Sequence, residues 1–384
     1  MEASTNSTGV PSASSTFRLL RTGGEGLRLM LEAIQSARQS LRLETYIYDT
    51  SAVGERFREA LVQACGRGVR VQVMIDAFGS VNLSTSFWNS LKKAGGLFAW
   101  FNPITLRRWS YRDHRKMLIC DDHLAFIGGF NIAAEYEGDG VQHGWRDLGL
   151  EIGGPLVGAL AESFDEFFGK AEFRHHRLQR LLRAPGKVAT GQDWKLLLSG
   201  PGRQDNALTA PLRRDLAEAR SVRIISAYFL PTRRLRTALS QVVARGGRVQ
   251  LILAGRSDVL LSRLASRRLY RAFLRAGVEI YEYEPQILHA KLFVIDENVY
   301  VGSANLDIRS LRINYELLVQ ISDPQLAMEA RQLFDGDLRH SRRIDPSTWN
   351  KSRTIWNKLR EEWAYFVLAR IDPYVARQQT KTLR

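Results

Sequence analysis

Two copies of one histidine–lysine–aspartate pattern are the residues of this chain best suited to chemistry. With identical spacing, the members are His114, Lys116 and Asp121 in the first copy and His289, Lys291 and Asp296 in the second. Histidine titrates near neutral pH, so one imidazole can attack while the other donates a proton, and lysine supplies positive charge. The pairs therefore predict chemistry on a phosphodiester.

Each copy is followed by a glycine-containing turn and an asparagine. The residues concerned are Gly128, Gly129 and Asn131 in the first copy and Gly302, Ser303 and Asn305 in the second. Glycine lets the backbone approach a phosphate closely, and an amide can bind oxygens on which negative charge builds. We therefore expect these six residues to bind substrate, with Ser303 offering a hydroxyl in the second copy only.

Short apolar runs explain the spacing within each copy. Met117–Cys120 and Leu292–Ile295 are typical of buried strands. Residues two apart on a strand project from the same face, so each histidine should point the same way as its lysine. Helical and strand patterns alternate elsewhere, which predicts an α/β fold with helices covering the sheets.

The second half of the chain repeats the first beyond these motifs. Residues 67–72 align with 245–250, and 41–43 align with 222–224. An internal repeat of this length predicts two halves of the same fold. An insertion before His114, with Arg107, Arg108 and Trp109, has no counterpart in the second half and is a candidate substrate-contacting loop.

These motifs resemble the phospholipase D superfamily and, within it, the bacterial cardiolipin synthases. The resemblance to the lipid branch is carried by residues 112–116, 128–132 and 145–147, and it spans about residues 17–340. It implies two pseudo-twofold-related halves, each a mixed sheet flanked by helices, that share one active site at their interface.

The resemblance also implies the chemistry. It makes His114 the nucleophile that forms a phosphohistidine and His289 the acid/base. Asp147 and Glu316 would be the carboxylates that orient the two imidazoles. Asp121 and Asp296 belong to the catalytic motif, although their positions at the ends of buried strands favour bracing loops over contacting substrate.

The expected organisation has five parts. These are a disordered tail (1–16), a first half (17–170), a linker (171–205), a second half (206–340) and a basic, aromatic helical tail (341–384). No apolar run is long enough to span a membrane, and no signal-peptide core begins the chain. The pattern matches a short cardiolipin synthase without N-terminal spans, bound peripherally to the cytoplasmic face of the cell membrane.

The net charge of the chain limits the classes of molecule that it is expected to bind. Lys and Arg number 55 against 40 Asp and Glu, a net charge of +15. Such an excess suits an acidic partner, which is an anionic phospholipid membrane, nucleic acid or a phosphate-bearing substrate. The resemblance implies phosphatidylglycerol as the substrate. A lipid hydrolase and a nuclease remain alternatives, but nucleic acid is disfavoured because small nucleases of the superfamily resemble one half-chain. No metal or other cofactor is expected, and the oligomeric state stays open.

Two surface features permit two interpretations. Arg263, Arg267, Arg271 and Arg275 recur along one helix and either form a solvated face or bind anionic lipid. The C-terminal aromatic and apolar residues either pack as a helix, which we favour, or anchor the chain in a membrane. They are Trp356, Trp363, Tyr365, Phe366 and Leu368.

Overall fold

The computed structural model describes residues 14–103, 111–171, 187–201, 207–349 and 351–381. The first half consists of seven strands and four α-helices. They are β1 (Thr16–Leu20), α1 (Gly23–Ser36), β2 (Ser40–Thr45), α2 (Ala52–Gly66), β3 (Arg70–Asp76), α3 (Asn89–Lys93), β4 (Leu97–Phe101), β5 (Met117–Cys120), β6 (Leu124–Gly128), β7 (Gly149–Gly153) and α4 (Pro155–Ala171).

The second half adds nine strands. Its elements are β8 (Lys187–Thr190), β9 (Trp194–Ser199), α5 (Thr209–Glu218), β10 (Ser221–Ser226), α6 (Arg233–Ala244), β11 (Arg248–Ala254), α7 (Leu260–Arg275), β12 (Glu279–Tyr283), β13 (Lys291–Ile295), β14 (Asn298–Gly302), α8 (Ile308–Arg312), β15 (Glu316–Ser322), α9 (Pro324–Arg339) and β16 (Ser341–Arg343). The C-terminal region forms α10 (Pro346–Trp349), α11 (Ile355–Phe366) and α12 (Asp372–Lys381), with a π-helical turn at Val367–Ile371.

The two sheets repeat one strand order, which confirms the predicted pair of similar halves. The first sheet runs β1-β7-β6-β5-β2-β3-β4, and the second runs β16-β12-β11-β10-β13-β14-β15-β9-β8. Six strands of the first sheet, in the order β7-β6-β5-β2-β3-β4, correspond to β15-β14-β13-β10-β11-β12 of the second sheet. In each, two parallel pairings adjoin antiparallel pairings, so both sheets are mixed.

Local signals account for the helix starts. The Thr22 hydroxyl accepts a hydrogen bond from Glu25 N (3.1 Å) at the start of α1. Asp323 does the same for Gln325 N (2.8 Å) before α9, whose first residue is Pro324. A polar N-cap, with proline at the first helical position, stabilises a helix start because it satisfies free N–H groups.

The largest apolar core lies between the two sheets. Met74, Ile119 and Leu150 of the first sheet share it with Ile252 and Val294 of the second. Helices α4 and α9 contact strands of both sheets, so they lie in this central layer. Separate clusters cover the outer face of each sheet. The resulting layers bring the inner faces of both halves, and hence both motifs, toward one interface.

Two predicted boundaries differ from the structure. Strands β8 and β9 lie inside the predicted linker, and β9 pairs with β15 to extend the second sheet. The C-terminal region predicted as a helical tail (341–384) is not one continuous helix, because α10 ends at Trp349 and α11 begins at Ile355. The tail before residue 14 and residues 172–186 of the predicted linker lie outside the described residues.

A buried ion pair between the halves predicts a stability effect. Arg146 Nε lies 2.7 Å from Asp337 Oδ1, and both side chains are less than one-tenth exposed. Removing one partner leaves the other as an unpaired buried charge. Asp337→Ala should therefore lower the free energy of unfolding by about 3–5 kcal/mol. Chemical denaturation measures this loss.

A matched control lies on the same helix. Asp335 pairs with Arg223 at 3.1 Å but is 47% exposed. Screening by water reduces such a pair to about 0–1 kcal/mol. If Asp337→Ala and Asp335→Ala cost the same, the pair between the halves does not hold them together.

Candidate active site

Backbone hydrogen bonds join the two motifs across the interface with pseudo-twofold symmetry. His114 N donates to Tyr315 O and Tyr315 N donates to Arg112 O, both at 2.9 Å. In the other half, Arg146 N donates to Ile287 O and His289 N donates to Arg146 O, both at 2.8 Å. Each motif histidine is therefore held against the strand segment that carries the other half's carboxylate.

Each imidazole contacts a carboxylate of the opposite half. His114 Nδ1 lies 3.0 Å from Glu316 Oε2, and His289 Nδ1 lies 2.7 Å from Asp147 Oδ2. Strand register makes the two carboxylates equivalent, because each lies two residues before the partner of a motif glycine: Gly128 pairs with Gly149, and Gly302 with Leu318. A carboxylate at Nδ1 fixes the tautomer and leaves Nε2 free to react.

The charges around His114 favour a neutral imidazole. Burial lowers the pKa of His114 to about 4, although Glu316 opposes the shift. Burial alone would raise the pKa of Glu316, but His114, Lys116 and the Ser303 hydroxyl together hold it below its ordinary value. Glu316 is thus an anion that accepts a hydrogen bond from Nδ1–H of His114, which leaves the lone pair on Nε2.

The second histidine and the lysines are also buried. Burial and Lys291 lower the pKa of His289. Burial, together with repulsion from Lys291 and against the opposing charge of Glu316, lowers the pKa of Lys116 to about 7. Lys291 Nζ lies 3.2 Å from His289 Nε2. Since each lysine affects groups of the other half, the four motif residues form one site.

The asparagines are engaged by the protein backbone. Asn131 Oδ1 accepts from Ile47 N at 2.9 Å, and its Nδ2 donates to the Tyr136 hydroxyl at 2.7 Å. Asn305 Oδ1 accepts from Tyr228 N at 3.4 Å. Both side chains therefore position the segment that follows β2 or β10. Their predicted role as phosphate ligands stays a prediction.

The glycines also have a packing reason. A Cβ at Gly128 would fall 2.7 Å from the neighbouring strand, and one at Gly302 would fall 2.2 Å from Leu317 O. A Cβ at Gly129 would fall 2.2 Å from Asp147 Oδ1. A side chain at any of the three positions would meet protein atoms, so packing requires glycine there. The expectation that a phosphate approaches these glycines stays a prediction.

Ser303 serves the carboxylate. Its hydroxyl donates to Glu316 Oε2 at 2.5 Å and accepts from Leu317 N at 3.1 Å. These contacts hold the hydroxyl against Glu316, and the expectation that Ser303 binds substrate stays a prediction. The halves differ here because Gly129, at the equivalent position, leaves the room that Asp147 occupies.

The motif aspartates brace loops at the far ends of β5 and β13. Asp121 accepts backbone N–H bonds from Arg38, Gln39 and Ser40 at 2.7–2.9 Å. Asp296 accepts from Arg220 and Ser221 at 2.8–3.3 Å. Each strand separates its aspartate from its histidine, so grouping the two aspartates with the catalytic residues is corrected. Their expected bracing role matches these contacts.

Aromatic rings that no motif indicated surround the two imidazoles. The Tyr46 ring lies 5.1 Å from that of His114, centroid to centroid. Tyr136, Trp145 and Tyr228 lie 5.3, 5.7 and 6.4 Å from His289. These rings limit the rotation of the imidazoles and exclude water from them. Trp145 belongs to the recognised segment 145–147, although no role was predicted for it; the other three rings come from segments without a signature.

A buried charge cluster beneath His114 was also unforeseen. Arg115 Nε lies 2.7 Å from Glu44 Oε1, and both side chains are buried. Burial and the neighbouring Glu44 raise the pKa of Asp113 well above its ordinary value. All six residues of β2 are buried, and a carboxylate at Glu44 needs a specific partner because an unpaired buried carboxylate is costly.

Other expectations concern absences or lie outside the described ranges. Arg107, Arg108 and Trp109 are not among the described residues. Within the described ranges, no cluster of His, Cys, Asp or Glu could hold a metal ion. No helix in that part of the chain is both long and apolar enough to cross a membrane.

The fold and the crossed histidine–carboxylate pairs define the phospholipase D-like class. A family model described as "Cardiolipin synthase, PLD-like domain" matches residues 30–138 and 212–338. The chain belongs to this family. Cardiolipin synthase B of Salmonella typhi is 31% identical over 365 residues, covering 92% of this chain and 87% of that protein. Cardiolipin synthase A of Pseudomonas aeruginosa is 32% identical over 350 residues, covering 89% and 71%.

A solved structure supports the same fold. Phosphatidylserine synthase from Haemophilus influenzae superposes with a TM-score of 0.74 and covers 94% of each chain, at 14% identity. At this identity the likeness concerns the fold. Together with the family match, it identifies the chain as an enzyme of the phosphatidyltransferase type built from two phospholipase D-like halves.

Proposed function

We propose that this enzyme makes cardiolipin from phosphatidylglycerol through a phosphohistidine intermediate on His114. The observation that carries the proposal is the pair of imidazoles, each oriented by a carboxylate of the other half. Two such imidazoles can perform attack and protonation on one phosphorus atom. The cardiolipin synthase relatives support the choice of lipid.

In the first step, His114 Nε2 attacks the phosphorus of phosphatidylglycerol. The bond from phosphorus to the glycerol oxygen breaks, and His289 gives that oxygen a proton, so glycerol leaves. Burial lowers the pKa of His289 in the free site. The anionic phosphodiester opposes this effect when it binds, because a nearby negative charge favours the imidazolium. Lys116 and Lys291 stabilise the charge that develops on the non-bridging oxygens.

In the second step, a second lipid takes the phosphatidyl group. The terminal hydroxyl of another phosphatidylglycerol gives its proton to His289 and attacks the phosphorus. The bond to His114 breaks, which releases cardiolipin and regenerates the neutral imidazole. Water in place of this hydroxyl would yield phosphatidic acid, so the acceptor alone separates a transferase from a lipid hydrolase.

One assay separates the candidate functions. Purified protein is incubated with phosphatidylglycerol vesicles while lipids and free glycerol are followed. Cardiolipin with an equal amount of glycerol supports the transferase, and phosphatidic acid with glycerol supports the hydrolase. DNA cleavage without either lipid product would instead favour a phospholipase D-family nuclease.

Lys116 predicts the alkaline pH dependence of turnover. Its pKa of about 7 means that the ammonium predominates below pH 7 and the neutral amine above it. If the charged form binds the phosphodiester, kcat/KM should fall by up to tenfold per pH unit above about pH 7. Steady-state rates across the pH range measure this limb.

Arginine provides the control because it stays protonated over the whole range. Lys116→Arg should move the alkaline limb upward, whatever its effect on the maximal rate. An unmoved limb in this variant would show that another group controls it.

A further inference from the structure

A basic cavity of about 480 Å³ lies between α7, α10 and α11, apart from the catalytic histidines. Asp345 and Glu361 are its acidic lining residues. Five arginines line it as well: Arg263, Arg267, Arg342, Arg353 and Arg360. Such an excess of guanidinium groups favours an anion that can accept several of their N–H donors, above all a phosphate.

Among the described residues, Arg263 and Arg360 are the two arginines of this cavity without a paired carboxylate, and Arg263 is the less exposed of the two. Arg267 pairs with Glu282 through two bonds of 2.8 and 2.7 Å, and Arg353 pairs with Glu361. Arg263 has no such carboxylate, and its Nε is buried without a hydrogen-bond partner. A buried donor left unpaired is costly, so an anion in the cavity would remove that cost.

Helix α11 forms one wall of the cavity and turns a large apolar face outward. Trp356 is 75% exposed and Trp363 is 62% exposed. Ile355, Leu359 and Phe366 are exposed on the same face. Tyr365 and Leu368 instead pack against the core. The favoured packing interpretation therefore holds for these two residues and is wrong for Trp356, Trp363 and Phe366.

The exposed apolar surface continues toward the active site. Val259 and Leu260 are exposed at the start of α7, next to Asp258, whose carboxylate accepts from the Tyr228 hydroxyl at 2.6 Å. Phe78 and Val81, after β3, are exposed in the first half, and Arg112 stacks on Phe78. Apolar patches with basic neighbours are typical of membrane contacts.

Helix α12 completes this surface. Its Tyr374 and the preceding Ile371 are exposed. Asp372 pairs with Arg309 at 2.5 Å, and the Tyr111 hydroxyl, three residues before His114, donates to Ala376 O. In the described ranges, eleven of the fourteen exposed large apolar residues belong to α11, α12 and these neighbouring segments. Most of the exposed large apolar side chains therefore belong to the C-terminal helices or to segments that contact residues near the two motifs.

We propose that α7 and α11 dock on an anionic bilayer, with one lipid phosphate in the arginine cavity and Trp356 and Trp363 among the headgroups. Charge complementarity selects this occupant, because a second copy would carry the same net charge of +15 and be repelled. Tryptophan is also the side chain that best suits a membrane interface. The choice of a lipid bilayer rests on the proposed function.

The tryptophans provide the first test. The full chain with Trp356→Ser and Trp363→Ser should bind vesicles of phosphatidylcholine and phosphatidylglycerol about tenfold or more weakly, as measured by co-sedimentation. The matched control replaces Leu97 and Met328, which are exposed on other elements, by serine. Equal binding by both double variants and the unaltered protein would overturn the inference.

The cavity provides the second test. Arg263→Gln should weaken binding to phosphatidylglycerol-containing vesicles by about fivefold and leave binding to pure phosphatidylcholine vesicles unchanged. Arg233→Gln, an exposed arginine on α6, is the control. Calorimetry with inorganic phosphate distinguishes the sources. If Arg263→Gln loses only phosphate binding and keeps full vesicle binding, the cavity serves free phosphate and the inference is overturned.

Turnover of a short-chain phosphatidylglycerol dissolved as monomers separates this inference from the proposed function. None of the replaced residues lies against the catalytic histidines, so every variant should turn over the monomeric lipid at the unaltered rate. Loss of vesicle binding with that rate retained supports the docking face. Retained vesicle binding with normal turnover overturns the docking face alone, while no turnover by the unaltered protein overturns the proposed function.

Discussion

His114→Ala is expected to lower cardiolipin formation by about 10⁴-fold or more, because the variant has no nitrogen to form the covalent intermediate. Its Nδ1 contact to Glu316 leaves Nε2 as the attacking atom. Release of glycerol from phosphatidylglycerol measures the loss. His340→Ala is the matched control, since this histidine is exposed and distant from the motifs in sequence. A His114→Ala enzyme that turned over at the rate of the control would refute the assigned nucleophile.

A substrate whose leaving group departs without being protonated distinguishes the roles of the two histidines. A p-nitrophenyl phosphatidyl ester expels its phenolate without needing a proton. His289→Ala should therefore still acquire a phosphatidyl group from this ester, and mass spectrometry should locate it on His114. The His114→Ala variant should acquire none. A label found on His289 in the His114→Ala variant would reverse the two roles.

Glu316→Gln is expected to reduce turnover by about 10²–10⁴-fold, although glutamine has nearly the same shape as glutamate. An amide cannot fix the Nδ1–H tautomer of His114 as a carboxylate does, and it removes the charge that faces Lys116. Asp147→Asn should act in the same way on His289. Glu329→Gln, on α9, is the control. Turnover equal to this control would contradict the role of the buried carboxylate.

The pH profile separates this role from a merely structural one. Glu316 opposes the lowering of the His114 pKa, which lies at about 4 in the intact site. Without that negative charge the imidazolium is less stable, so the pKa should fall further. The acidic limb of kcat/KM should then move to lower pH in Glu316→Gln, even though the maximal rate falls. A misfolded site would lose activity without this displacement.

The motifs themselves were predictable because they depend on short-range geometry. Side chains two apart on a strand share a face, so His114 with Lys116 and His289 with Lys291 followed from spacing alone. The repeat predicted two halves of one fold for the same reason. Crossing of the carboxylates was not predictable from spacing, because the partner of each imidazole depends on how two separate sheets pack.

Some residue roles could not be decided from the sequence. Gly129, Ser303 and Asn131 have residue types that suit a phosphate, but each type equally suits contacts inside a protein. Sequence cannot decide between these uses, since both need the same small or hydrogen-bonding side chain. The apolar face of α11 is a similar case, because helical periodicity shows that a face is apolar but not what covers it.

Each half supplies the carboxylate that orients the imidazole of the other half, so the two halves depend on each other for activity. Glu316 serves the imidazole of the first copy, and Asp147 serves that of the second. A change in either carboxylate removes the orientation of the histidine in the other half. A substitution in one half can therefore inactivate the motif of the other. Separating the copies by a few ångströms would release both imidazoles at once. Catalysis in this architecture therefore requires that the two duplicated halves are correctly packed against each other.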